Sequence, residues 1–146
     1  MKRVKDVLKS KGVREIYDIG PDSTVFDAIR LMSEKRIGAL LVMEDDVLVG
    51  IISERDYLRK VALLGRSSDT TLVKEIMTPD PITVEINERM EHCMEFMIEK
   101  RIRHLPVMQG DDLLGVVSIG DMLVNVLEDQ KSTIHHLEGY IRGESR

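Results

Sequence analysis

Apolar residues at 25, 28, 29 and 32 in "VFDAIRLM", and at 90, 93, 94 and 97 in "MEHCMEFM", recur at spacings of three and four. That is the period of one helix face. Each stretch is followed by a compact apolar run, "ALLVM" (39–43) or "HLPVM" (104–108), then a polar turn, "EDD" or "QGDD". A second run closes the pattern, "VLVGIIS" ending at Ser53 and "LLGVVS" ending at Ser118. The short turns predict antiparallel hairpins, and the strand-helix-strand step before each predicts parallel pairing. A last helix follows each second run.

Upstream, the pattern predicts short helices over about 3–10 and 72–77, and short extended stretches at 16–19 and 81–84. "GPDS" (20–23) and Asn87 supply turn residues that can cap the long helices. The tail "STIHHLEGYIRGESR" predicts one more amphipathic helix through Ile134, Leu137 and Ile141, ended by Gly143. It can cap the module or serve a dimer contact, and the sequence leaves both open.

The two patterns are one unit written twice. Residues 34–58 align without a gap on 99–123 at a constant shift of 65, with 13 of 25 positions identical. "VKDVL" (4–8) resembles "VKEIM" (73–77) after a four-residue slip, and "GRSSDTT" (65–71) reads as the joining loop. The division expected along the chain is repeat one over 1–65 with the N-terminal helix, a linker over 66–71, repeat two over 72–128, and a helical tail over 129–146. A unit of this size buries little alone, so the repeats are expected to pack sheet against sheet with pseudo-twofold symmetry. The fold class is α+β, two mixed sheets with helices on one side, and the equivalent seams would line two related clefts between the repeats.

Composition removes several classes of function. The net charge of −5, with 32% charged residues of both signs interspersed, argues against a nucleic-acid footprint. Three Tyr, two Phe and no Trp leave little to stack on bases. No apolar run approaches the ~20 residues that cross a bilayer, and the charged start "MKRVKDVLKSKG" is no signal core. A cytoplasmic protein is expected. Cys93 has no cysteine to pair with inside the chain, and the nine Met recur at core spacings as packing.

At the start of each last helix, Ser53 precedes Asp56 and Ser118 precedes Asp121 by three residues. The pattern is a helix capping box, and that reading accounts for both pairs. The same arrangement offers a phosphate the free N–H groups of a helix start, and a carboxylate that accepts both hydroxyls of a cis-diol. Lys35, Arg36, Lys100 and Arg101 suit the C-terminal dipole of the long helices. Arg103 and His104 face Gly38 and Ala39 across the repeat, and Arg55 faces Gly120. That asymmetry suggests phosphate contacts in one cleft and different ligands in the two. His92 and Cys93 are adjacent on a helix and do not face each other. Cys93 overlies Ala28, a small core position, and His135 and His136 have no third ligand in view. Neither an enzyme nor a metal site is expected.

"EKRIGALLVMEDDVLVGIISERD" in the first repeat, with "MTPDPITV" and "EKRIRHLPVMQGDDLLGVVSIGD" in the second, resembles a stand-alone pair of CBS (cystathionine β-synthase) domains, a Bateman module. The resemblance covers nearly the whole chain. It implies β-α-β-β-α units, a homodimer of pairs, no reaction of its own, and regulatory binding of AMP, ATP, NAD or S-adenosylmethionine. It also implies a phosphate at Ser53 and Ser118 and ribose hydroxyls at Asp56 and Asp121. Adenine would lie against Ile82, Thr83 and Pro106 in the second repeat, and against Asp18, Ile19 and Leu41 in the first. With no catalytic domain in view, either the effector is another protein or the chain simply buffers its ligand. The alternative of a different class is a ligand-free dimeric structural or interaction module whose seams are caps only.

Overall fold

The β-branched and aliphatic face of "VFDAIRLM" does form a helix, and its partners show what that face covers. In the computed structural model, which describes residues 2–12 and 16–141 apart from the Tyr140 side chain, the chain divides into two compact units. One holds Glu15–Ile82, and the other joins Met1–Arg14 to Thr83–Arg146.

The first-repeat unit runs β1 (Asp18–Ile19), α2 (Val25–Lys35), β2 (Ala39–Glu44), β3 (Val47–Ser53) and α3 (Glu54–Tyr57). A π-helical turn, Leu58–Ala62, continues α3, with Leu63 N–H donating to the Leu58 carbonyl at 3.0 Å. The short α4 (Val73–Ile76) and β4 (Thr78–Pro79) follow. The sheet order is β1-β2-β3-β4, with β1 parallel to β2 and the other pairs antiparallel. The second-repeat unit holds α1 (Val4–Ser10), β5 (Val84–Glu85), α5 (Met90–Lys100), β6 (His104–Gln109), β7 (Asp112–Ser118) and α6 (Ile119–Ile141). Its sheet order is β5-β6-β7.

The repeat is reproduced down to register. Ala39 pairs with Ser53 and His104 with Ser118, and each hairpin slips by one residue at the equivalent place, Val42/Met43 and Val107/Met108. The tight turn between β2 and β3 puts Asp45 and Asp46 at φ 50° and 63°, matching the right-handed twist of a two-residue hairpin. Both long helices end on an arginine in the left-handed conformation, Arg36 and Arg101.

The short helices exchange places. Val4 and Val7 of α1 are buried in the second-repeat core with Met90, Cys93, Met97, Leu105, Val107, Val117 and Met122. Val73 and Ile76 of α4 are buried in the first-repeat core with Val25, Ala28, Met32, Leu40, Val42 and Ile52. Equivalent backbone bonds hold them: Val4 N–H to the Glu88 carbonyl and Val73 N–H to the Ser23 carbonyl, both at 2.9 Å. Glycine makes room in each sheet. A Cβ on Gly115 would stand 3.0 Å from Leu8 Cδ2, and one on Gly50 would stand 2.5 Å from Met77 Sδ.

Several expectations change here. The N-terminal helix, expected with the first repeat, packs in the unit of the second, because the sheet it covers is set by tertiary packing and not by chain order. The 66–71 segment, expected as a linker, folds into the first-repeat unit, with Val25 and Phe26 N–H donating to the Thr71 and Ser68 carbonyls. The extended stretches expected at 16–19 and 81–84 pair only at 18–19 and 84–85. Asn87 does not cap α5: Arg89 holds that position without a side-chain cap, whereas Thr24 caps α2 by accepting from Asp27 N–H. The tail forms no separate helix, since α6 runs unbroken to Ile141. Gly143 lies outside the described residues.

Candidate functional site

Each seam is where the last strand of a unit becomes a helix. Gly115 and Val117 are buried on β7, and its last residue, Ser118, turns into α6. Ser118 N–H donates to Asp121 Oδ2 at 2.8 Å, and Asp121 N–H donates to Ser118 Oγ at 3.0 Å. In the first repeat Ser53 N–H donates to Asp56 Oδ2 at 2.9 Å, and Asp56 N–H to Ser53 Oγ at 3.3 Å. Ser53 Oγ also donates to Asp56 Oδ2 at 3.1 Å. The capping box is therefore present in both copies.

Beyond capping, the seams carry lysines that local sequence reading did not single out. Lys11, just past α1, places Nζ 2.8 Å from Asp121 Oδ2 and donates to the Val116 carbonyl at 2.8 Å. Lys60 places Nζ 3.3 Å from Asp56 Oδ1 and donates to the Ile76 carbonyl at 2.9 Å. Lys60 lies four residues beyond Asp56, a helical neighbour legible in the sequence. Lys11 lies in another part of the chain, and nothing local announces it. Burial pushes the Asp121 carboxyl up, but the Lys11 ammonium and the Ser118 bonds outweigh it and hold the group below its ordinary value. Buried Asn125, one turn beyond Asp121, donates to the Asp121 carbonyl at 2.9 Å and to Ser10 Oγ at 3.2 Å. Its own Oδ1 accepts from Lys2 Nζ at 2.9 Å.

Other candidate residues fall around these seams. Arg103 is exposed, and its carbonyl accepts from Ile119 N–H, the first residue of α6, at 2.9 Å. His104 is the ladder partner of Ser118. The structure thus brings Arg103, His104, Ser118 and Asp121 to one strand end. Arg55 is exposed in the first turn of α3. Asp18 pairs with Leu41 and Ile19 with Val42, so Asp18, Ile19 and Leu41 share one ladder. Leu41 and Pro106 are buried yet outside the two core clusters, on the strand face opposite them by alternation. Thr83 sits one residue before Val84, whose ladder partner Val107 follows Pro106. Ile82 is exposed and belongs to the first-repeat unit, so it is not grouped with Thr83.

Candidates for other chemistry do not assemble. The Cys93 thiol is buried, and burial, with a smaller effect of Glu88, pushes it up to about 11. At neutral pH it is not a thiolate nucleophile. His92 Nδ1 lies 3.3 Å from Glu88 Oε1 on the helix surface. Among the described residues, no cluster of three or more metal-ligating side chains occurs, and no helix is long and apolar enough to cross a membrane.

The CBS domain family model matches residues 4–63 and 73–128, both repeats. The chain belongs to the CBS-domain family. It is 40% identical to the mitochondrial CBS domain-containing protein CBSX3 of Arabidopsis thaliana over 148 aligned positions, covering 96% of this chain and 72% of that one. A CBS-domain structure from Burkholderia ambifaria MC40-6 superposes with a TM-score of 0.85 at 47% identity, covering 88% of this chain and 96% of that one. CBSX2, whose structure was determined in complex with AMP, superposes with a TM-score of 0.72 at 25% identity, covering 89% of this chain and 99% of that one. CBS-pair proteins of this kind are regulatory modules, and the two mixed sheets with their flanking helices match these neighbours.

Proposed function

We propose that this CBS pair is a regulatory module that binds an adenosyl nucleotide at the Ser118–Asp121 seam and signals to a partner protein, with no reaction of its own. The observation that carries the reading is the convergence of the Ser118 hydroxyl and the Asp121 carboxylate at the first turn of the 23-residue α6. There a phosphate would meet helix N–H groups and the hydroxyl, and the ribose diol would donate to the carboxylate. The AMP complex of CBSX2 supports an adenosine-containing ligand, with AMP, ATP, NAD and S-adenosylmethionine as the candidates. Arg103 and His104 at the same strand end favour this seam over its twin, where Gly38 and Ala39 stand. In the first repeat the equivalent reading assigns Ser53 and Asp56, with Arg55 in the same turn. No metal is part of this reading.

A thermal-shift screen with AMP, ADP, ATP, NAD, NADH and S-adenosylmethionine tests it. A ligand at 100 times its dissociation constant raises stability by about 2.7 kcal/mol, and no shift with any of them removes the reading. The second reading, a ligand-free structural module, is favoured by the complete capping boxes, which satisfy both seams without any ligand. Either reading includes a homodimer, supported by the exposed Leu123, Val124 and Leu127 on α6. Light scattering at micromolar concentration reads it directly.

A further inference from the structure

We propose that Lys11 is a positioning residue of the second-repeat seam, and that through it filling of Asp121 by a ligand is coupled to the docking of α1. The proposal rests on the assignment of Asp121 as the ribose acceptor. Lys11 Nζ bridges Asp121 Oδ2 and the Val116 carbonyl, each at 2.8 Å, and so pins the carboxylate to the last strand. The Ser118 N–H lands on the same Oδ2. An ionised carboxylate accepts on both oxygens, so a diol that donates to Oδ1 and the ammonium on Oδ2 do not compete. Each holds the carboxylate in the position the other uses.

The first repeat supplies an independent observation. There the lysine comes from within the helix: Lys60, four residues after Asp56, places Nζ on Asp56 and on the Ile76 carbonyl at the end of α4. The residue at the equivalent place in the second repeat, 65 positions on, is Asn125, which carries no charge. Lys11 restores the missing cation from the start of the chain. The two copies thus bring an ammonium to the equivalent carboxylate by different routes: in one the lysine caps the end of the short exchanged helix, and in the other its second bond goes to that helix's last residue.

The orientation of the carboxylate explains the need. With Oδ2 held by Lys11 and the Ser118 N–H, the group is fixed in place and Oδ1 remains to accept the diol. Further contacts make α1 responsive to this seam. Ser10 accepts from Asn125 at 3.2 Å, and Lys2 donates to Asn125 at 2.9 Å and pairs with Asp129 at 3.1 Å. The residues at and just before the two ends of α1 are therefore fastened to the first three turns of α6.

The test uses the full chain, the Lys11→Met and Asp121→Asn variants, calorimetry, and hydrogen exchange of the α1 amides. Lys11→Met weakens AMP and adenosine alike, by about fivefold or more, and leaves 2′,3′-dideoxy-AMP within about twofold, because the lost effect passes through the diol's acceptor. By reciprocity, AMP raises α1 protection by a similar factor in the native chain and not in Lys11→Met. An equal loss for all three ligands would make Lys11 a merely structural residue and overturn the proposal. Without any ligand, Asp121→Asn speeds exchange in α1 by about fivefold, and unchanged exchange would equally overturn it. Should the native chain bind no nucleotide, the functional reading fails by itself, and this ligand-free comparison decides the coupling of Asp121 to α1.

Discussion

At the scale of single residues, Asp121 is held in its ionised form by neighbours that exist only in the folded chain. Its folded pKa lies below the ordinary aspartate value of 3.8. The stability it contributes is therefore present above that value, and is lost as the pH falls through it towards the lower folded value. Asp121→Asn should flatten that part of the acid limb in urea titrations below about pH 5, at a cost of about 1 kcal/mol at neutral pH. An acid limb identical to that of the native protein would show that Lys11 and Ser118 do not hold the charged form. The serine and the aspartate were legible in the sequence because a capping box is a local pattern. Lys60 is legible by the same logic at i+4, whereas Lys11 reaches Asp121 only through the folded chain.

At the scale of elements, the repeat forecast the hairpins and long helices well, since periods of two and near four report directly which face is buried. Short elements were forecast less well. A two-residue strand such as β1 or β5 has no period of its own, and its position is set by pairing with β2 or β6. The two equivalent glycines turn this packing into a measurable asymmetry. Gly50→Ala drives a Cβ to 2.5 Å from Met77 Sδ and 3.0 Å from the Thr78 carbonyl, a backbone atom that cannot swing away. It should cost about 1–3 kcal/mol. Gly115→Ala meets only the flexible end of Leu8 at 3.0 Å and should cost less than about 1 kcal/mol. Chemical denaturation of the two variants checks the order, and equal costs would mean that Met77 and β4 lie no more closely on β3 than Leu8 does on β7.

At the scale of the whole chain, the exchange of α1 and α4 was the feature least visible in the sequence. The slipped match of 4–8 with 73–77 was visible, and it correctly paired Val4 with Val73 and Leu8 with Met77 as equivalent positions. What it could not say is which sheet each helix covers. Val7→Ala tests the exchange: protection should fall at Val117 and Met97, which share its core, and hold at Leu40 and Ile52, which do not. Loss at Leu40 and Ile52 instead would place α1 with the first repeat. The central claim, nucleotide binding at the second seam, is tested most directly by calorimetric titration of the native chain and Asp121→Asn with AMP, ATP, NAD and S-adenosylmethionine. The account predicts saturable binding of at least one of these to the native chain, weakened about tenfold or more in Asp121→Asn with the fold intact. Binding unchanged by Asp121→Asn, or no binding of any of the four to the native chain, would contradict it.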